Sequence, residues 1–308
     1  MRLADLHADT PSRMFRKQKS FDDASLHIAL PHLSYLEGYT QFFAFFSDED
    51  KVDSELYEDF FKMRENFLVT LEKSKSDLPK NSRFFFTVED ARLLAGKEER
   101  LDTLYDHGVR ILTPLWRGIT HIGGAFDTDF PLTSFGKKAL TRACRLGMLL
   151  DISHASLPSA DDILEISASS GVPPLATHSN AYGVCPHPRN LCDRHLAAVR
   201  NAGGLIGISF APQHLSTAAT ATVNDVLRHI DYYLANGCEH VLALGCDFDG
   251  IDATPRRLES IACLPRLVKA LRKHGVKENT IKNLCYRNAE RFIKEHLPSA
   301  PAFTNTCL

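Results

Sequence analysis

Eight short apolar runs punctuate the chain, and amphipathic helical patterns fill the intervals between them. The runs are RLADLH (2–7), QFFAFF (41–46), RFFFTVE (83–89), VRILTPL (109–115), MLLDISH (148–154), PPLATHS (173–179), GLIGISF (204–210) and VLALGCDF (241–248). Most are near-continuous rather than alternating, as expected of parallel strands buried on both faces. Leu56, Phe60, Met63, Phe67 and Leu71 recur at helical spacing, which predicts a helix over 54–74 with one buried stripe. Ser134 reads as the N-cap of a helix over 135–146, and Asp193 as that of a helix over 194–202 that stops at Gly203. Helices over 224–236 and 264–274 end at Gly237 and Gly275, where a left-handed cap is wanted.

Strands alternating with helices predict an α/β fold, a (β/α)8 TIM barrel over residues 1–308 as one domain. An open doubly wound sheet is the alternative, but no GxGxxG or P-loop turn follows any strand. Neither an internal repeat nor a shift of composition marks a second domain. The small-residue stretch 211–223 reads as a mobile loop after the seventh strand, and the tail 297–308 as irregular.

Charge narrows the partners. A formal net charge of −2 and a pI near 6.7 leave no footprint for nucleic acid or an anionic membrane. No apolar stretch approaches the roughly 20 residues that span a bilayer. The start carries one Arg and nothing resembling a signal peptide, so a cytoplasmic protein is expected. The eight cysteines are scattered and form no CxxC pair, so they read as reduced thiols. Cys185 and Cys192 flank PHPRN, but their spacing fits no common zinc finger.

Chemistry in such a barrel gathers at the C-terminal ends of the strands. His7 and Asp9 fall at the end of the first strand, Glu89 at the third, His154 at the fifth and His178 at the sixth, with Asp247 and Asp249 at the eighth. Imidazole nitrogen and carboxylate oxygen suit Zn²⁺, and alternation sends His7 and Asp9 to the same face. Burying Glu89, Asp9 and Asp247 together without a cation would cost repulsion and desolvation. Other readings exist for single residues. His154 could cap the next helix, Glu89 could open one, and Arg189 could be a turn residue between prolines. His121, His187, His195 and His229 read by default as loop or helix-surface residues.

The stretches DLHADT, TVED, YDHGVRILT, LTSFGKKAL, RLGMLLDISHAS, ATHSNA, PHPRNLCD, GGLIGISF and ALGCDFDG run in order from residue 5 to 250. Together they resemble the membrane (renal) dipeptidase family of metallopeptidases, within the amidohydrolase-like barrels. The resemblance implies two Zn²⁺ per chain and hydrolysis of free dipeptides through a metal-bridging hydroxide. Under it, His7, Asp9 and a bridging Glu89 serve one metal, and Glu89, His154 and His178 the other. Arg189 matches the arginine that grips the substrate carboxylate, and Asp247 the acid that moves protons. It also implies a homodimer.

Two departures stand out. Asp90 and Ala91 follow Glu89 where relatives often have two glycines. Trp116 occupies the place of a substrate-binding histidine, with His121 as the candidate replacement. Cytosolic bacterial-type members are the closer match. The alternatives are a related hydrolase of N-acyl amino acids, lactams or phosphoesters, and a relative that binds metal or peptide without turnover.

Overall fold

The computed structural model describes residues 1–46, 50–297 and 303–304. Its elements alternate from the first residue onward. They are β1 (Arg2–Ala8), α1 (Thr10–Lys17), β2 (Gly38–Phe46), α2 (Asp53–Lys73), β3 (Arg83–Glu89), α3 (Arg100–Asp106) and β4 (Val109–Thr113). There follow α4 (Ser134–Leu146), β5 (Leu149–Leu150), α5 (Leu157–Ser169), β6 (Leu175–Ala176), α6 (Asp193–Asn201) and β7 (Leu205–Ile208). The last part holds α7 (Pro212–Leu215), α8 (Val223–Ala235), β8 (Leu242–Leu244), α9 (Leu264–Lys273), α10 (Glu278–Lys282), α11 (Asn288–His296) and β9 (Phe303–Thr304). A π-helical turn over Asn283–Arg287 joins α10 to α11.

Neighbouring strands run β5-β4-β3-β2-β1-β8-β7-β6, all parallel. A bridge between Asp151 and Leu175 joins the two ends of that path, so the sheet closes into a (β/α)8 barrel. The barrel interior is an apolar cluster drawing on every one of these strands: Ala4 and Leu6, Phe42, Phe85, Ile111, Leu149, Leu175, Leu205 and Ala243. Phe292, Ile293 and Leu297 pack into the same cluster from α11 and its end, on the side away from the polar strand ends. A larger layer lies between strands and helices, where the predicted stripe Leu56, Phe60, Met63, Phe67 and Leu71 of α2 is buried.

Several boundaries differ from expectation. The fifth and sixth strands shrink to two residues each; beyond them the N–H groups of Ser153 and Thr177 go to the Asp151 carboxylate instead of to a neighbouring strand. Thr133, not Ser134, caps α4, its hydroxyl accepting from the Gly136 N–H. Cys192 precedes α6 and Asp193 lies in its first turn. The stretch 211–223 holds the short helix α7 and the Thr222–Asp225 capping box of α8, so it is not merely a loop. Nor is the tail irregular where it is described: Phe303 and Thr304 pair antiparallel with β3, and Phe303 stacks on Phe84 at 5.5 Å. Residues 298–302 and 305–308, Cys307 included, lie outside the described residues.

Candidate metal centre

Two buried acids and three imidazoles meet above the barrel interior. His7 comes from β1 and Asp9 from the residue before α1; Glu89 ends β3, and His154 and His178 follow β5 and β6. His7, Asp9, Glu89 and His178 are each at most 3% exposed. Glu89 stands at the centre because β3 pairs on both sides, Glu89 facing Phe46 of β2 and Thr113 of β4. Its Oε2 lies 3.5 Å from His7 Nε2, while its Oε1 lies 3.0 Å from His154 Nε2 and 3.4 Å from His178 Nε2. Asp9 Oδ2 is 3.3 Å from His7 Nε2, and the His7 and His178 rings stack at 3.7 Å. Asp247, after β8, joins His7 and Asp9 in a group whose ligand atoms lie within 4.8 Å of one another. His7, Glu89 and His178 form a second such group.

The backbone is strained where the site needs it. His154 (φ 68°) and Asp247 (φ 62°) adopt the left-handed conformation that non-glycine residues avoid. Hydrogen bonds from Phe126 N–H to the His154 carbonyl (2.7 Å) and from Asp247 N–H to the His7 carbonyl (3.1 Å) hold them there. Gly250 closes the arrangement, since a Cβ at that position would fall on the Asp9 and Asp247 carboxylates.

Electrostatics point to missing positive charge. Burial pushes the Asp247 carboxyl up to about 8; His7 pulls it back, while Asp9 and Glu89 add to the rise. Burial also raises Asp9, reinforced by Glu89. Against its own burial, Glu89 is held well below the usual carboxylate range by His7, His154 and His178. Burial lowers His154 to about 4, with Arg189 adding to the effect. His154 Nδ1 donates to the Trp116 carbonyl at 3.0 Å, so its Nε2 is a bare lone pair. That lone pair faces Glu89 Oε1 and, at 3.0 Å, His178 Nε2. His7 Nδ1, His7 Nε2 and Asp9 Oδ1 are buried without a hydrogen-bond partner. Lone pairs of His154, His178, Glu89 and Asp9 converge here with few hydrogens to share among them, as at a cation site, and these donor types fit a divalent metal.

A cavity of about 390 Å³ opens onto this group, lined by Asp9, Arg16, Phe46, Glu89, Trp116, His154, Asp247 and Gly250 among others. Trp116 stands 4.8 Å from Phe46 and 6.3 Å from His154, ring to ring. Arg189 is buried nearby, donating from Nη1 to Ser179 Oγ (3.3 Å) and from Nη2 to the His178 carbonyl (3.2 Å), with Nε unpartnered. Two other residues are engaged away from the centre. His121 Nδ1 meets Asp53 Oδ2 at 3.1 Å and does not line the cavity. Asp249 accepts from Thr10 Oγ1 and the His27 N–H, both at 2.7 Å. Asp90, not Glu89, caps the short 3-10 turn that follows β3, accepting from the Arg92 N–H.

The model of the membrane dipeptidase family, peptidase family M19, matches residues 1–300. The chain belongs to this family. Among curated proteins, this dipeptidase-family chain is 34% identical over 219 residues to an uncharacterized Klebsiella pneumoniae protein, covering 67% of the chain and 79% of that protein. It is 32% identical over 215 residues to an uncharacterized dipeptidase of Schizosaccharomyces pombe and 32% over 232 residues to a dipeptidase of Aspergillus oryzae. These matches cover 67% and 70% of the chain but only 51% and 53% of the two fungal proteins. A crystal structure of an M19 dipeptidase superposes with TM-score 0.86 at 25% identity, over 97% of this chain and 99% of the other. A Rhodobacter sphaeroides metallopeptidase, liganded with a phosphinate mimic of L-Ala-D-Ala, has the same fold, with TM-score 0.84 at 24% identity over 96% and 99%. Among the described residues, no helix of the membrane dipeptidase-family chain is long and apolar enough to cross a membrane.

Sequence reasoning passed over Arg16 and Phe46 of the cavity wall, which carry no local signal: one is an exposed arginine on a helix, the other the end of an apolar strand. His195 and His229, which by pattern read as loop or helix-surface residues, are both buried. His195 Nε2 meets Asp161 at 2.9 Å, and His229 bonds two backbone groups.

Proposed function

We propose that the protein is a dinuclear zinc dipeptidase acting on free dipeptides. The observation that carries this reading is the division of Glu89, one oxygen toward His7 and the other toward His154 and His178. His7, Asp9 and Glu89 would hold one metal, and Glu89, His154 and His178 the other. When bound, such a pair supplies Lewis acidity toward the scissile carbonyl and a water acidic enough to act as nucleophile near neutral pH. Asp247 takes a proton from the attacking water and returns it to the leaving amine, as general base and then general acid. Arg189, fixed by Ser179 and the His178 carbonyl, turns its guanidinium to the substrate's C-terminal carboxylate; the unpartnered Nε is a donor in reserve. Trp116 and Phe46 wall the cavity and keep water from the reacting atoms.

The test is hydrolysis of a panel of free dipeptides beside their C-terminal amides, N-acyl amino acids and a phosphoester, on protein assayed for zinc. About two zinc per chain and a clear preference for free dipeptides are expected. Replacing Arg189 with Ala should lower kcat/KM for free dipeptides roughly 10- to 150-fold, the loss of one hydrogen bond to a charged group, and leave the amides nearly unchanged. Equal turnover of acids and amides by the unaltered protein removes the carboxylate clamp, and protein that takes up no zinc removes the reading altogether.

A further inference from the structure

Directly behind His178 lies a buried network with no place in the mechanism above. Asp151, fully buried at the seam between β5 and β6, receives four hydrogen bonds. Its Oδ1 accepts from the N–H groups of Ser153 and Thr177, both at 2.9 Å. Its Oδ2 accepts from the hydroxyls of Thr113, at 2.8 Å, and Thr177. A carboxylate with four donors has its lone pairs filled. The Thr177 hydroxyl has one hydrogen, and Asp151 holds it. Yet Thr177 Oγ1 also lies 2.8 Å from His178 Nδ1. With its hydrogen committed, it can only accept there. His178 must then carry its proton on Nδ1 and present Nε2 bare, and Nε2 is the atom that faces Glu89 and His154.

We propose that Asp151 and Thr177 are positioning residues of the metal centre, a carboxylate–hydroxyl relay that fixes the tautomer and ring plane of His178 so that Nε2 is ready for a metal. The proposal rests on the metallopeptidase reading. An imidazole free to place its proton on either nitrogen must shed one tautomer before binding; a partner on Nδ1 removes that cost and raises the basicity of Nε2. His154 gains the same tautomer from the Trp116 carbonyl, so the two imidazoles of one metal position are set by two unrelated devices. Thr177 is itself fully buried, and valine matches its shape without the hydroxyl.

The experiment measures zinc affinity by competition with a chelator for the wild type, Thr177→Val and Thr177→Ser, with no dipeptide present. Partners of this kind are worth about 10- to 100-fold in metal affinity. A loss of that size is expected for Thr177→Val, and recovery to within about threefold for Thr177→Ser. Equal affinity in Thr177→Val, or a serine variant as weak as the valine one, overturns the relay. In parallel, ring ¹⁵N–¹H correlation spectra of metal-free wild type should show His178 protonated at Nδ1, and protonation at Nε2 overturns the proposal even if Thr177→Val does not fold. If wild-type protein binds no zinc, the metallopeptidase reading fails; if it binds zinc and the variants do not differ, only the relay fails.

Discussion

The two halves of the barrel are held together by different means. From β1 to β4 the strands are zipped by backbone ladders; β2 and β3 pair without interruption from Thr40 and Arg83 to Phe46 and Glu89. Phenylalanines fill both faces of this half, Phe42 stacking on Phe85 inside and Phe43, Phe45 and Phe86 packing outside. From β5 to β8 the strands are two to four residues long, and side chains take over the ladder's work. Asp151 staples β5 to β6, Asn180 exchanges two hydrogen bonds with the Ser209 backbone, His229 holds the Ala181 N–H, and Asn288 caps the Leu242 carbonyl. His7 and Glu89 stand on the zipped half, His154, His178 and Arg189 on the stapled half. Glu89 is therefore insulated from single polar substitutions, His7 leans on one polar side chain through its N–H bond to the buried Asp5 carboxylate at 3.0 Å, and the ligands of the other half are built on several.

The largest effect that separates the halves should come from Phe86. It is fully buried between Phe45, at 5.0 Å, and Phe67, at 6.4 Å. Phe86→Ala should cost about 3–5 kcal/mol through lost burial and the cavity left behind. Zinc affinity should nevertheless stay within about threefold, because Glu89 is held three residues on by ladder bonds that the substitution leaves intact. Urea unfolding of metal-free protein and a zinc titration check the two halves of that statement. A large affinity loss in Phe86→Ala means the zipped half does not insulate its ligands.

A titratable staple gives the next effect. His229 is fully buried; its Nδ1 accepts from the Ala181 N–H at 3.0 Å and its Nε2 donates to the Leu215 carbonyl at 3.1 Å. Burial lowers it to about 4. The folded state thus binds the proton less readily than the unfolded chain, whose histidines titrate near 6.5. Stability from this group is complete above the unfolded value and is lost as pH falls from about 6.5 toward 4, by about 3 kcal/mol in all. Glutamine can make both hydrogen bonds without titrating. His229→Gln should therefore lose less stability than the wild type over that window in metal-free protein, measured by urea unfolding. Parallel curves for the two proteins would show that His229 does not carry this dependence.

The same contrast explains what could be read from the sequence. A strand buried on both faces must be apolar throughout, so QFFAFF and RFFFTVE announce themselves, and β3 has the expected bounds. Glu89 and His7 were legible as polar residues that end such runs. The stapled half writes a weaker signature. MLLDISH and PPLATHS look like seven-residue strands, but only Leu149–Leu150 and Leu175–Ala176 pair as such. Asp151 and Thr177 sit within those runs, and nothing local tells a staple from a ligand or a strand end. His229 fits a helix surface by pattern; its two backbone partners lie on the chain after β6 and at the end of α7, which one sequence does not reveal.

The smallest expected effect is at Asn180, and its sign can be turned with pH. Its amide donates to the Ser209 carbonyl at 3.0 Å and accepts from the Ser209 N–H at 3.2 Å, replacing one rung of a ladder between the chain after β6 and the end of β7. Asn180→Ala leaves both Ser209 groups buried and unpaired, which costs about 1–3 kcal/mol. Asn180→Asp is nearly isosteric, and as a carboxylate it keeps the acceptor for the Ser209 N–H. It also sets a negative oxygen against the Ser209 carbonyl, so near neutral pH it should be at least as unstable as the alanine variant. A protonated carboxyl, however, can donate to that carbonyl and restore the rung. Its folded pKa should then be raised, so the restored stability is present at low pH and lost as pH rises through that value. Relative to Asn180→Ala, the aspartate variant should thus gain stability on acidification, opposite in direction to the histidine staple. Urea unfolding of both variants in metal-free protein between about pH 7 and pH 5 measures the difference. A constant gap between them shows that the second rung bond contributes nothing, and that β6 and β7 are held by packing rather than by the Asn180 staple.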